Sequence, residues 1–259
     1  MERGASNATA GLEVGELRRA VTRGELVAYY QPEYDLTTGR PVVLEALCRW
    51  VHPDRGLILP DSFIPIAERS GLIADLGRAI LEQSGRRAAE WHQRGLRVGI
   101  AVNISPSQLT PAFAEAVLEI VHGLGLPRWT VTAEITETPA LLESCDEYRA
   151  LAALIDGGVG ISIDDFGAGT TSVEGLRRMP FTEVKIDRSL MRDRRAEADD
   201  LVAECVEIAR AQSAIVVAEG VETADDLERA RRWGCDRAQG YYFSPAVAAE
   251  ELEPLLQPA

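Results

Sequence analysis

The sequence predicts an α/β fold in which 259 residues form one domain, closed into a (β/α)8-like barrel with an irregular first strand. Three observations predict it. Strand-like and helix-like stretches alternate, as a parallel sheet with returning helices requires. A polar side chain follows or interrupts nearly every short apolar, β-branched run: Glu45, Asn103, Glu134, Asp164, Asp165, Lys185, Glu219 and Gln239. From Asn103 onward these recur at roughly 20 to 35 residues, about one strand plus its helix. An open sheet gathers its ligand site at one switch point, whereas a barrel draws on the ends of many strands.

In chain order, residues 1–10 read as a tail and 11–259 as the domain, beginning with a short helix over 11–26. Runs 27–35 and 42–50 are strand-like and are joined by the turn Thr37-Thr38-Gly39-Arg40, which makes a hairpin. Helical periodicity covers 61–70 and 72–95, and the first of these accounts for the long gap from Glu45 to Asn103. Residues 98–105 return to a strand, and 106–125 form a helix with Pro106 near its start. Further strands are expected at 129–136, 159–166, 182–187, 215–221 and 238–243. Helices are expected at about 139–156, 171–179, 196–213, 223–233 and 246–256.

Residues two apart in a strand share a face. Glu45, Leu47 and Arg49 therefore point one way, and Ala46, Cys48 and Trp50 the other. The same parity aligns Ala101 with Asn103 and Ser105, Thr132 with Glu134 and Thr136, Ser162 with Asp164, and Lys185 with Asp187. These faces are mostly small or polar and their reverse sides largely apolar, as expected of a functional cavity inside and helix packing outside.

A hydrophobic share of 46% and a charged share of 26% are ordinary for a globular chain, so neither disorder nor a membrane protein is indicated. No apolar run approaches the roughly 20 residues needed to span a bilayer, and Met1 to Ala10 lacks a signal-peptide core, so a cytoplasmic location is expected. The net charge of −14 argues against DNA or RNA duplex binding, which needs a basic face. It leaves a phosphorylated ligand open, because bound cations can make an acidic site locally attractive. Cys48, Cys145, Cys205 and Cys235 form no C-x-x-C pair and read as structural thiols.

Oxygen donors without a nearby histidine favour magnesium or manganese over zinc or copper. Adjacent Asp164 and Asp165 at a strand end are the most specific local signal, since diverging carboxylates there suit paired ions. Taken singly, each residue has a plainer reading. The aspartates fit an Asx turn before Gly167, Glu45 an ion pair with Arg49, Lys185 a partner for Asp187, and Gln239 a ligand for backbone groups. Together the plain readings weaken, because many interior carboxylates without cations are costly.

The segments Tyr30-Gln-Pro, Glu45-Ala-Leu-Cys-Arg49, Phe63-Ile-Pro-Ile-Ala-Glu68, Asn103-Ile-Ser, Glu134-Ile-Thr-Glu137, Asp164-Asp-Phe-Gly167, Lys185-Ile-Asp187, Ala218-Glu-Gly-Val-Glu-Thr223 and Gln239-Gly-Tyr241 span nearly the whole chain. In this order they resemble the motif series of EAL-domain cyclic di-GMP phosphodiesterases. The resemblance implies a modified TIM barrel that hydrolyses cyclic di-GMP to the linear dinucleotide pGpG, with Mg²⁺ or Mn²⁺, as a homodimer. Calcium is expected to bind but inhibit. By the same resemblance Glu45, Asn103, Glu134 and Asp164 hold one ion, and Asp164, Asp165 and Glu219 the second. Lys185, Glu219 and Glu45 take catalytic roles, and Gln31, Arg49 and Gln239 contact the substrate. Glu137 matches a glutamate that steadies the loop after Asp165, and Glu222 matches a further acidic position.

Two departures stand out. The family's usual G-Y-S-S-L is here Gly169-Thr170-Thr171-Ser172-Val173, which keeps a hydroxyl at Thr171 but loses an aromatic. Glu33 stands where a β-branched apolar residue is commoner, and repelling phosphate or facing water are both open to it. The loop change motivates a second reading, a cyclic di-GMP sensor without turnover. A third, a metal-dependent enzyme of another class with Lys185 as base, fits the carboxylates but not the motif series.

Overall fold

A hairpin opens the barrel. β1 (Leu26–Asp35) pairs antiparallel with β2 (Pro41–His52), and Asp35 makes the turn by accepting from Thr37 N at 3.1 Å and Thr38 N at 2.6 Å. The computed structural model describes residues 11–136, 145–168 and 173–257, so the tail 1–10 lies outside the described residues, as do Glu137 and Thr171. Helix α1 (Val14–Arg23) precedes the hairpin. A short β3 (Gly56–Ile58), not among the expected strands, pairs with β2 outside the ring.

After α2 (Pro60–Ser70) and α3 (Ile73–Gln93), strands and helices alternate: β4 (Gly99–Ile104), α4 (Pro111–Gly123), β5 (Val131–Thr136), α5 (Asp146–Gly157), β6 (Gly160–Phe166), α6 (Val173–Arg178), β7 (Glu183–Ile186), α7 (Arg188–Arg192), α8 (Ala196–Ala211), β8 (Ile215–Ala218), α9 (Ala224–Trp233), β9 (Arg237–Ala238) and α10 (Ala249–Leu256). From β2 through β4 to β9 each neighbouring pair is parallel. β1 closes the ring, antiparallel to both β2 and β9. The irregular first strand is thus a reversed one, and the fold is a modified TIM barrel.

Two expected elements differ. The helix over 106–125 divides into a 3₁₀ turn at Pro106–Gln108 and α4, because Thr110 is extended and caps α4 by accepting from Phe113 N at 3.2 Å, with Pro111 following. The strand over 238–243 shrinks to β9, because Gly240 (φ 155°) brings the chain hard against Val221, whose carbonyl accepts from Tyr242 N at 2.9 Å. Helix α7 also lacked a periodic signal; Asp187 caps it by accepting from Ser189 N at 2.8 Å, rather than pairing with Lys185.

The strand parity holds. Leu44, Ala46, Trp50, Ile100, Val102, Ile161, Ile163, Val184 and Ile186 are buried apolar residues of the core. Trp50 meets Phe63 edge-on at 5.9 Å and Tyr30 meets Trp91 at 5.4 Å, tying α2 and α3 to the hairpin by about 1 kcal/mol each beyond area burial. Cys48, Cys205 and Cys235 are buried free thiols, pushed up to about 12 by burial. No described helix is long and apolar enough to cross a membrane.

A Cβ on Gly240 would stand 2.2 Å from the Val221 carbonyl oxygen and 2.5 Å from its nitrogen, where backbone cannot yield. Gly240→Ala is expected to cost about 2 kcal/mol or more. Thermal unfolding with an unchanged melting temperature would refute this close approach.

Candidate active site

Register brings polar side chains to one rim. Gln31 of β1 lies opposite Glu45 of β2, Asn103 of β4 beside Glu134 of β5, and Thr136 beside Asp164 of β6. Lys185 of β7 sits fully buried at their centre. Its Nζ stands 2.8 Å from Glu219, 2.9 Å from Glu134, 3.2 Å from Glu45 and 3.7 Å from Asp164. Asn103 Nδ2 donates to Glu45 at 3.1 Å and to Glu134 at 3.4 Å, and Gln239 Nε2 donates to Glu45 at 2.6 Å. Glu45 is therefore held by Lys185, Asn103 and Gln239, not by Arg49.

The charges are out of balance. Burial works against the Lys185 ammonium, but Glu134, Glu219 and Glu45 overcome it and hold its pKa well above the ordinary lysine value. Burial raises Glu134 well above the carboxylate range, helped by Glu45, and raises Glu219 to about 8 against the pull of Lys185. Burial also works to raise Glu45, yet Lys185, Gln239 and Asn103 keep it below its usual value. One ammonium does not neutralise this many acids.

Asp164 and Asp165 face one ion-sized space because the strand is bent there. Pairing of β6 with β7 shifts register between Ile163 and Phe166, and Asp165 takes a left-handed φ of 58°. A regular strand would send adjacent side chains to opposite faces. Here one oxygen each from Asp164, Asp165 and Glu219 lie within 4.8 Å of one another. Asp164 Oδ1 is buried without a hydrogen bond among the described residues. An all-oxygen donor set with surplus negative charge fits hard divalent cations.

A cavity of about 800 Å³ lies on one side, lined by Gln31, Glu45, Asp165, Glu219, Gln239 and Tyr241. A second, of about 510 Å³, runs between β2 and helices α2 and α3 past Asn103 and Asp164, and both are lined by Glu45 and Asp165. Gln31 is anchored by donating to the Ser244 carbonyl at 3.1 Å. Glu222 lines the larger cavity while accepting from Arg192 at 2.7 Å. Arg49 lines neither; its guanidinium donates to the Cys48 carbonyl at 3.0 Å and lies 5.8 Å over the Tyr29 ring.

Beneath the rim are charges that the sequence reading did not place. Arg237 Nη1 lies 2.7 Å from Glu183 and 3.3 Å from Glu33. Glu33 neither faces water nor meets the cavity: it is fully buried in the barrel. Strand parity carries part of the signal, since Glu183 lies two residues before Lys185 on β7 and Arg237 of β9 two residues before Gln239, but their meeting needs the register of three strands.

The EAL domain family model matches residues 14–246. The chain belongs to the EAL domain family. Among curated relatives, this EAL domain is 37% identical over 241 residues to the bifunctional diguanylate cyclase/cyclic di-GMP phosphodiesterase MucR of Pseudomonas aeruginosa, covering 92% of this chain and 35% of MucR. It is 32% identical over 231 residues to cyclic di-GMP phosphodiesterase PA2567 of the same organism, covering 88% of this chain and 39% of the relative. The chain thus spans little more than a third of either. A solved PaMucR phosphodiesterase in complex with c-di-GMP superposes with a TM-score of 0.84 at 36% identity, over 92% of this EAL domain and 98% of that chain.

Glu33 ionises near 4.5 when unfolded, whereas burial and neighbouring Glu183 push it up to about 8 in the barrel. Between those values the folded state keeps a proton that the unfolded chain has released, so Glu33 makes stability fall as pH rises. In the presence of a chelator, Glu33→Gln should flatten the decline of Tm from pH 5 to 8. Parallel Tm profiles for variant and wild type would contradict the shift.

Proposed function

We propose that this EAL domain hydrolyses cyclic di-GMP to pGpG with Mg²⁺ or Mn²⁺ and so lowers the level of that second messenger. The observation that carries the reading is the convergence of Glu45, Asn103, Glu134, Asp164 and Glu219 around Lys185, with Gln31 and Gln239 beside them. It is supported by the likeness to MucR and PA2567, whose names carry this activity, and by the c-di-GMP complex of the superposed structure.

Glu45, Asn103, Glu134 and Asp164 would hold one ion, and Asp164, Asp165 and Glu219 the other, with Asp164 shared. Bound divalent cations supply a water acidified enough to attack at neutral pH and neutralise charge growing on the phosphoryl oxygens. The chain's own groups do the positioning. Lys185, held protonated by its acidic neighbours, donates hydrogen bonds to the attacking water and orients it toward phosphorus. The acidic neighbours that raise the pKa of Lys185 favour this role over that of a base. Gln239 keeps Glu45 in place from one side while Asn103 does so from the other. Gln31, tied to Ser244, faces the nucleotide across the larger cavity, and Arg49 offers charge-assisted bonds to phosphate once released from the Cys48 carbonyl.

Calcium would be bound by the same carboxylates but support little turnover, because its larger and looser shell misplaces the nucleophile. The domain is expected to work in the cytoplasm and as a homodimer, which light scattering with and without nucleotide tests. Purified protein given cyclic di-GMP with Mg²⁺ and with Mn²⁺ should yield pGpG. Tight binding in calcium with no product in either ion would replace the enzyme by a nucleotide sensor.

Glu45→Ala is expected to lower turnover at least about a thousandfold by removing a cation ligand. Lys185→Ala should lose turnover comparably while keeping most nucleotide affinity in calcium. Wild-type hydrolysis by the Glu45 variant would overturn the ligand assignment.

A further inference from the structure

The charges on the barrel floor have a place in the same chemistry. Glu33 lies two residues from Gln31 on β1, Glu183 two residues from Lys185 on β7, and Arg237 of β9 two residues before Gln239, which directly follows the strand. Each floor residue therefore shares a strand face with a residue of the rim, one same-face step below it. Arg237 joins the three strands, at 2.7 Å from Glu183 and 3.3 Å from Glu33. The second oxygens of Glu33 and Glu183 are buried with no hydrogen-bond partner among the described residues, and Arg237 is the cation in ion-pair contact with both side chains.

This tie sits where the barrel is weakest. β1 pairs with β9 at Tyr34 opposite Ala238 and Asp35 opposite Arg237, with Leu36 N donating to the Asp236 carbonyl at 2.9 Å beyond them. β8 pairs with β9 at Val217 beside Arg237 and Ala218 beside Ala238, flanked by Asp236 N donating to the Val216 carbonyl at 2.8 Å and Gln239 N to the Ala218 carbonyl at 2.9 Å. Elsewhere long ladders fix the strand positions, as between β4 and β5 from Ile100 to Ile104. Ladders this short leave side chains a share in the relative placement of β1, β7 and β9.

We propose that Arg237 is a positioning residue: by bonding Glu33 and Glu183 together it fixes β1, β7 and β9 relative to one another, and with them the spacing of Gln31, Lys185 and Gln239 around the phosphodiester. The proposal rests on the phosphodiesterase reading above. A shift of β7 or β9 reaches the reacting centre directly, because Lys185 lies 3.2 Å and Gln239 2.6 Å from the same Glu45 oxygen.

Two variants test it: Arg237→Met, which keeps stem length without charge, and the triple variant Glu33→Val, Glu183→Val, Arg237→Leu, which removes the whole charge cluster. Replacing a complete buried ion cluster by apolar side chains is frequently neutral or stabilising, so the triple variant should recover a Tm near that of wild type. Its kcat should nevertheless remain about a hundredfold low, as a displacement near 1 Å produces. Arg237→Met, if folded, should show the same loss of kcat and about tenfold weaker cyclic di-GMP binding in calcium. Recovery of full kcat together with Tm in the triple variant would show that the cluster serves stability alone. A folded Arg237→Met protein within twofold of wild type in both kcat and Kd would overturn the proposal as well. Should wild-type protein itself turn nothing over, the enzyme reading fails on its own, and the calcium-loaded Kd values still decide the role of Arg237.

Discussion

One ammonium shared among Glu45, Glu134, Asp164 and Glu219 is the constraint on which this EAL domain turns. Removing charges from water costs several kcal/mol each unless they are compensated. Lys185 compensates part of the set and no more, as the raised pKa values of Glu134 and Glu219 record. The barrel holds these acids close enough to repel one another. Such an arrangement gains most from divalent cations, which repay the repulsion the fold has already borne.

Much of this was legible in the sequence because a strand's period is two. Parity alone put Asn103, Glu134, Asp164 and Lys185 on the inner face, and alternation of elements made that face a barrel. What parity does not contain is a break in itself. The bend that turns Asp165 to the side of Asp164 depends on a bulge against β7 and a left-handed residue that no local run announces. The floor charges were hidden for another reason. Glu33, Glu183 and Arg237 are distant in sequence and acquire meaning only when three strands are registered against each other. Glu33 looked like a substrate-side departure because its neighbour Gln31 does line the cavity, although the two lie at different depths in the barrel.

The acidic surface and the acidic site place opposite demands on a phosphate ligand. A net charge of −14 repels a dinucleotide at long range, and screening by physiological salt confines that repulsion to about 8 Å. Within that distance the sign is set locally. Two divalent ions beside Lys185 would turn the acidic rim into an attractive one. On the proposed function, nucleotide affinity and cation occupancy would be linked: a rim without cations would reject the ligand that an occupied rim would hold.

The reversed first strand explains why the rim is complete on that side. In the parallel strands a rim residue follows its floor residue, as Lys185 follows Glu183 and Gln239 follows Arg237. In β1 the order inverts, so Gln31 reaches the rim while Glu33 descends to the floor, and pairing with β2 sets Gln31 opposite Glu45. Pro32, which has no N–H to donate, falls between the contact of Tyr30 with Val247 and the pairing of Tyr34 with Ala238. A parallel first strand would have needed a crossover where the hairpin needs only the turn at Asp35. The hairpin thus places the Gln31 amide beside Glu45 through backbone pairing, while on the far side of β1 Arg237 holds Glu33.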